Sequence, residues 1–136
     1  MRCPKSGCKW AVRGSTAGLF FSADLPNRIP LWIVEGPTDC AALMSIGLAA
    51  VGVPSAGSRT RWAADLARRT QAPEVIVVAD RDEAGSKNAH ALVSAFSLVC
   101  PVRVIRPPAE FKDARAWVVG GATADTLHTE LSKISR

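Results

Sequence analysis

The chain of 136 residues contains no tyrosine, only two histidines and no apolar run long enough to cross a bilayer. A membrane helix needs about 20 mainly apolar residues, so the sequence predicts a protein without membrane spans. The first residues, MRCPKSGCKW, are basic, but no apolar stretch follows them. We therefore expect no signal peptide and a cytoplasmic location. Because tyrosine is absent, the chain cannot supply a tyrosyl nucleophile.

Cysteine is also scarce, with four residues in the whole chain. Cys40 and Cys100 lie among apolar neighbours and are predicted to be small buried residues. Cys3 and Cys8 form a C-x4-C pair that resembles half of a zinc knuckle, but no second ligand pair follows it. Two interpretations stay open for this pair: a pair of ordinary cysteines, or the end of a zinc-binding module that begins upstream.

What the chain does have is a large apolar fraction and an excess of positive charge. Hydrophobic residues make up 48% of the sequence, which predicts one folded globular domain. The formal net charge is +5. Such an excess is compatible with a nucleic-acid partner, and equally with a solvated basic surface.

Short apolar runs alternate with segments of helical spacing from residue 31 onwards. This alternation predicts βαβ units and an α/β fold, with about four mainly parallel strands flanked by helices. The strands are predicted at 31–34, 49–53, 74–79 and 102–105. The helices are predicted at 37–46, 61–70, 83 or 84 to 98, and 124–134, and the segment 112–117 is predicted to be a turn that enters a helix. Gly47 is predicted to end the first helix. We expect residues 1–30 to be a leader, which would be the end of a truncated upstream module, or a short hairpin of Trp10–Val12 and Leu19–Phe21 that packs on the main domain. Residues 31–136 are predicted to form that main domain.

Acidic residues follow three of the predicted strands. They are Glu35 and Asp39, Asp80 and Asp82, and Asp113. Ligand sites in parallel sheets lie beyond the carboxyl ends of the strands, so these side chains are expected to gather at one edge. Clustered carboxylates repel one another, and a hard divalent cation such as Mg²⁺ would offset that repulsion. The alternative is that Asp39, Asp82 or Glu83, and Asp113 cap helices.

Three motifs within residues 31–119 resemble the Toprim domain of bacterial primases, topoisomerases and some nucleases. They are EGPTD at 35–39, DRDEAG at 80–85 and KDARAW at 112–117. The last two look most like the primase and primase–helicase branch. The resemblance implies a Rossmann-like sheet and a site that binds Mg²⁺, with Mn²⁺ as a possible substitute.

The resemblance also implies a role for each matching residue. Glu35 would act as the acid/base, and the metal would be bound or supported by Asp80, Asp82, Asp39 and Asp113. Phosphate or nucleic acid would be contacted by Lys112, Lys87 and Arg81. An equally supported alternative is that Arg81 neutralises its acidic neighbours. Gly36 and Gly85 would permit tight turns.

The implied activity is nucleotidyl transfer in RNA primer synthesis, with single-stranded DNA and nucleotides as substrates. A complete primase core also has a basic subdomain before the Toprim part and a helical one after it, and neither fits into 136 residues. We therefore expect a fragment or a domain that depends on a helicase or on the missing subdomains. A Toprim nuclease and a non-catalytic module that binds nucleic acid or a replication partner are the alternatives.

Overall fold

The computed structural model of the protein describes residues 18–54 and 59–134. It contains five strands: β1 (Phe20–Phe21), β2 (Leu31–Glu35), β3 (Ala50–Val53), β4 (Val75–Val78) and β5 (Val102–Ile105). The helices in these ranges are α1 (Gly36–Ser45), α2 (Thr60–Arg69), α3 (Glu83–Phe96), α4 (Ala114–Val119) and α5 (Ala124–Ser132). In these ranges, no helix combines the length and apolarity needed to cross a membrane.

The strands form one sheet in the order β1-β3-β2-β4-β5. Strands β3, β2, β4 and β5 are parallel, and β1 pairs with β3 in the antiparallel direction. In the register of the central pair, Ile33 lies opposite Val77. The carboxyl ends of β2 and β4 are therefore neighbours, and whatever follows these two strands is brought together.

The sheet has an apolar core on each of its faces. On one face, Ile33 and Val77 pack with Ala67 of α2 and Phe96 of α3. On the other face, Val34 belongs to a core that includes residues of α1, α4 and α5, among them Leu43, Trp117 and Leu127. This two-sided burial explains why β4 and the first four residues of β2 are apolar at every position instead of alternating.

Most predicted elements are present within a few residues of their expected bounds. The α/β architecture with four parallel strands is confirmed. The predicted stop of the first helix is also confirmed, because Gly47 follows the end of α1 with φ +88°, a conformation that favours glycine. Cys40 is fully buried as predicted, whereas Cys100 is only half-buried because it lies in the surface turn before β5.

The edge strand β1 departs from the simple four-strand picture. Phe20 and Phe21 pair with Gly52 and Val51 of β3, so this part of the predicted leader contributes to the sheet. The other strand of the predicted hairpin, Trp10–Val12, and the Cys3–Cys8 pair lie outside the described residues. The division of the chain at residue 30 stays a prediction.

Candidate functional site

Two acidic residues meet at the carboxyl edge of the sheet. Glu35 is the last residue of β2, and Asp80 follows β4 by two positions. Both line one cleft of about 30 Å³, together with Thr60, Gly85 and Asn88. A cavity of this size has room for a water molecule or a small ion. The edge therefore brings Glu35 and Asp80 together as the sequence predicts.

Asp80 carries the most perturbed carboxyl group of this edge. Burial is the main cause that raises the pKa of Asp80 to about 7. Repulsion from four other carboxylates adds to the rise; in order of effect they belong to Asp39, Glu35, Asp113 and Asp82. No described residue donates a hydrogen bond to the Asp80 side chain or forms an ion pair with it. The ionised form of Asp80 therefore lacks a positive partner in the part of the protein that the structure describes.

Gly85 allows helix α3 to lie against the backbone of Asp80. A Cβ atom at position 85 would lie 2.4 Å from the Asp80 carbonyl oxygen and 2.8 Å from the Asp80 Cβ. Gly85 is within the first turn of α3 and does not have a positive φ, so its role is close approach and not the predicted turn. At Gly36 the predicted turn is present, because its φ is +79°.

Glu35 is held by a residue that the sequence analysis did not identify. Asn88 of α3 donates a hydrogen bond from Nδ2 to Oε2 of Glu35, at 3.1 Å. The two residues are 53 positions apart, so only the packing of α3 over the end of β2 brings them together. The one local sign is that asparagine is a poor helix former, which suggests a reason other than helix stability for its place in mid-helix.

Asp82 and Asp113 cap the helices that they precede. Asp82 Oδ1 accepts a hydrogen bond from the Gly85 amide at 2.6 Å, and Asp113 Oδ1 accepts one from the Ala116 amide at 2.7 Å. The capping interpretation is therefore confirmed for both residues, with Asp82 rather than Glu83 at the start of α3. Each cap uses one carboxylate oxygen.

Asp39 does not cap its own helix. The residue before α1 is Glu35, whose side chain makes no capping hydrogen bond. Asp39 is 6% exposed, and its Oδ1 accepts a hydrogen bond from the Arg115 amide in α4 at 2.9 Å. Burial raises the pKa of Asp39, the Arg115 amide opposes that rise, and the charges of Asp113 and Glu35 add to it. Asp39 thus ties α1 to the start of α4.

The predicted phosphate contacts have different environments. Lys112 and Lys87 are highly exposed, and Lys87 lies 3.7 Å from Glu83, one turn earlier on α3. Arg81 Nε donates a hydrogen bond to the Pro107 carbonyl, and the Arg81 amide donates one to the Lys112 carbonyl at 2.9 Å. Arg81 forms no ion pair with its acidic neighbours among the described residues. It joins the loop after β4 to the segment that leads into α4.

The donor set of this edge suits a hard divalent cation. Within residues 18–54 and 59–134, no three His, Cys, Asp or Glu side chains are close enough to hold a metal ion as they stand. However, Asp80 is surrounded by carboxylates without a described cationic partner, and the groups that line the cleft beside it offer oxygen rather than imidazole or thiolate. Mg²⁺ and Mn²⁺ prefer such oxygen donors and accept water for the remaining ligands.

These features define an α/β domain with a parallel sheet and an acidic site at its carboxyl edge. The model of the Toprim-like family matches residues 32–117, and the chain belongs to this family. None of the curated proteins that were compared matches the chain. The sequence-based resemblance to the Toprim domain is therefore confirmed.

Solved structures of primase domains share the fold. A DNA primase domain from Pseudomonas aeruginosa superposes with a TM-score of 0.66 and 20% identity, over 79% of this chain and 34% of that one. The primase fragment of the bacteriophage T7 primase–helicase gives a TM-score of 0.53 and 22% identity, over 79% and 45%. A third structure contains bacteriophage T7 primase domains with the lagging-strand DNA polymerase, an RNA/DNA hybrid and dTTP. It gives a TM-score of 0.53 and 20% identity, over 80% of this chain and 54% of that one. The chain thus spans about a third to a half of these neighbours.

Proposed function

We propose that this chain is the metal-dependent catalytic module of a DNA primase-type nucleotidyltransferase. The observation that carries the proposal is the meeting of Glu35 and Asp80 in one cleft, amid the charges of other carboxylates and without a described cationic partner for Asp80. Membership of the Toprim-like family and the fold shared with primase domains support it. A replication role of this kind goes with a cytoplasmic location.

Asp80 and Asp82 are the proposed metal ligands, and Asp39 and Asp113 support them. When bound, Mg²⁺ would orient a nucleotide phosphate and stabilise the charge that develops on its oxygens. Asp82 uses one carboxylate oxygen for its capping bond with the Gly85 amide, and we propose that the other oxygen binds the ion.

Glu35 is the proposed acid/base, because it lines the same cleft and Asn88 fixes one of its oxygens. The other oxygen is then left to accept a proton from an attacking hydroxyl group. The exposed side chains of Lys112 and Lys87 are proposed to meet the phosphates of a nucleotide or primer from the solvent side.

Single-stranded DNA and nucleotides are the proposed substrates. The T7 neighbour, whose structure includes an RNA/DNA hybrid and dTTP, supports this choice. Because the chain spans only part of its structural neighbours, we propose that further primase subdomains or a helicase complete the activity.

A calorimetric titration with Mg²⁺ and Mn²⁺ tests the metal site directly. We expect the wild-type chain to bind the ion and the double variant Asp80→Ala/Asp82→Ala to lose binding while it keeps its fold by circular dichroism. Single-stranded DNA and ribonucleotides are then added, and the reaction is analysed for primer products. A parallel reaction also contains a purified helicase or the further primase subdomains. Equal ion affinity in both proteins would refute the site, and cleavage of the DNA without primer products would favour a Toprim nuclease.

A further inference from the structure

A second surface of the domain combines exposed aromatic side chains with arginines. A groove of about 350 Å³ lies between the edge strand β1 and helix α2, and its lining residues are Leu19, Phe21, Trp62, Asp65, Leu66 and Arg69. Trp62 and Phe21 are each 42% exposed, although large aromatic side chains are usually buried. None of these residues belongs to the acidic cleft.

The charge of α2 and the residue before it is strongly positive. Between residues 59 and 69 the chain has four arginines and one carboxylate. Asp65 pairs with Arg68 at 2.8 Å, so the carboxylate in the groove is already neutralised. Among the described residues, no acid pairs with Arg59, Arg61 or Arg69. Arg59 and Arg61 lie at the start of α2, where the helix dipole adds to their positive charge and does not offset it.

The Trp62 side chain is held in place by one of these arginines. The guanidinium carbon of Arg59 lies 4.1 Å from the centre of the Trp62 ring, which is within cation–π distance. The Arg59 Nε is buried and has no hydrogen-bond acceptor among the described residues. The stacking holds the ring and still leaves the residue 42% exposed. A fixed, exposed aromatic ring beside arginines that no described acid neutralises is a suitable platform for a nucleic-acid base and its phosphate.

Helix α2 contributes residues both to the acidic cleft and to the groove. Helix α2 begins at the carboxyl edge of the sheet, where Thr60 lines the cleft that contains Glu35 and Asp80. Trp62 follows two positions later, and Arg69 ends the helix about 10 Å beyond Trp62. Along α2, Trp62 is therefore the groove residue nearest to the cleft and Arg69 the one farthest from it.

We propose that the groove between β1 and α2 binds single-stranded nucleic acid, with Trp62 stacking on a base and Arg59 and Arg69 contacting phosphates. The choice of partner rests on the proposed function, whereas the surface itself is distinct from the proposed metal site. Single strands fit better than a duplex, because the bases of a duplex are already stacked on one another and do not offer a free face to Trp62.

The test is fluorescence anisotropy with a labelled oligothymidylate of about 16 nucleotides, a length that covers the site of a small single-strand-binding domain. EDTA is present, so that the result does not depend on a metal ion. We expect Trp62→Ala to weaken binding about five- to a hundredfold, and Trp62→Phe to retain most of the affinity, because only the first variant removes the ring on which a base stacks. Arg69→Glu should weaken binding and reduce the logarithmic salt slope by about 0.7 for each phosphate that the variant no longer neutralises.

Lys133→Glu is the matched control, since it makes the same charge change just after α5, on the opposite face of the sheet. It should change the affinity less than twofold. Equal binding by wild type, Trp62→Ala and Arg69→Glu would overturn the proposal. A change in sedimentation that shows loss of self-association in Trp62→Ala, with unchanged DNA affinity, would overturn it in favour of a dimer interface. Loss of DNA binding in Trp62→Ala but no Mg²⁺ binding by the wild type would leave this surface intact and refute only the metal site.

Discussion

Replacement of Asp80 by asparagine is expected to make the metal-free protein more stable at pH 8. The pKa of Asp80 rises from 3.8 to about 7 on folding, chiefly because of burial. Each unit of pKa is about 1.4 kcal/mol, so ionised Asp80 costs the folded state up to roughly 4 kcal/mol. Since the side chain is only partly buried, solvent screens part of this cost, and we expect a gain of about 2 to 4 kcal/mol.

The sign of this effect follows from where the proton is held. Between pH 3.8 and about 7 the folded protein retains a proton on Asp80 that the unfolded chain has released. The wild type therefore loses stability as the pH rises through this window, and the loss is complete above pH 7. Asparagine does not titrate, so the difference between variant and wild type should be near zero at pH 4 and largest at pH 8.

Urea unfolding in EDTA at several pH values from 4 to 8 measures this difference. Asp24→Asn, at an exposed position outside the cleft, is the control and should change stability by less than about 0.5 kcal/mol at each pH. Saturating Mg²⁺ should then cancel most or all of this difference. An ion at about 100 times its dissociation constant adds about 2.7 kcal/mol to the wild type and nothing to Asp80→Asn. A variant that is less stable than the wild type at pH 8 in EDTA, or one that gains equally from Mg²⁺, would refute this reasoning.

Three further substitutions test the architecture around the site. Gly85→Ala should destabilise the protein by about 1 to 3 kcal/mol, because the added Cβ would lie 2.4 Å from the Asp80 carbonyl oxygen; Gly18→Ala, with open space around it, is the control in chemical denaturation. Asn88→Ala should weaken Mg²⁺ binding by about tenfold or more, because the hydrogen bond from Asn88 to Glu35 is lost. Calorimetry measures the affinity, with His90→Ala as the control. Equal Mg²⁺ affinity in the two variants would contradict the prediction. Glu74→Gln should lower the free energy of unfolding by about 3 kcal/mol, because its partner Arg103 is only 11% exposed and keeps its charge. Glu130→Gln, in a more exposed pair with Lys133, should lower it by less than about 1 kcal/mol. Equal losses of stability in the two variants would count against the burial argument.

The sequence was sufficient for the parallel strands and for the place of the acids. The apolar run at 75–79 ends abruptly at Asp80, and a parallel sheet directs the carboxyl ends of its strands to one edge. The cap residues Asp82 and Asp113 could also be anticipated, because capping depends on residues three positions away. These features are local or follow from a general property of parallel sheets.

Features that depend on packing between distant segments could not be predicted in the same way. The bond between Asn88 and Glu35 joins residues 53 positions apart, and that between Asp39 and the Arg115 amide joins residues 76 apart. The requirement for glycine at position 85 depends on how closely α3 approaches the end of β4. Each of these interactions arises from the angle and depth at which a helix packs on the sheet, and that information is not contained in a local pattern.

Capping and metal binding, which the sequence presented as alternatives, are compatible at this site. A cap occupies one carboxylate oxygen, so Asp82 can accept a hydrogen bond from the Gly85 amide and still offer its second oxygen to an ion. The amides at the starts of α3 and α4 also carry partial positive charge, which offsets part of the repulsion among the acids. Asp39 has the same support from the Arg115 amide.

Among the described residues no amide supports Asp80 in this way, and it is the carboxyl group whose pKa rises to about 7. The amides at the helix starts therefore allow the acidic edge to fold without a cation. Asp80 is the carboxylate that a bound cation would stabilise most, because no described amide offsets its charge.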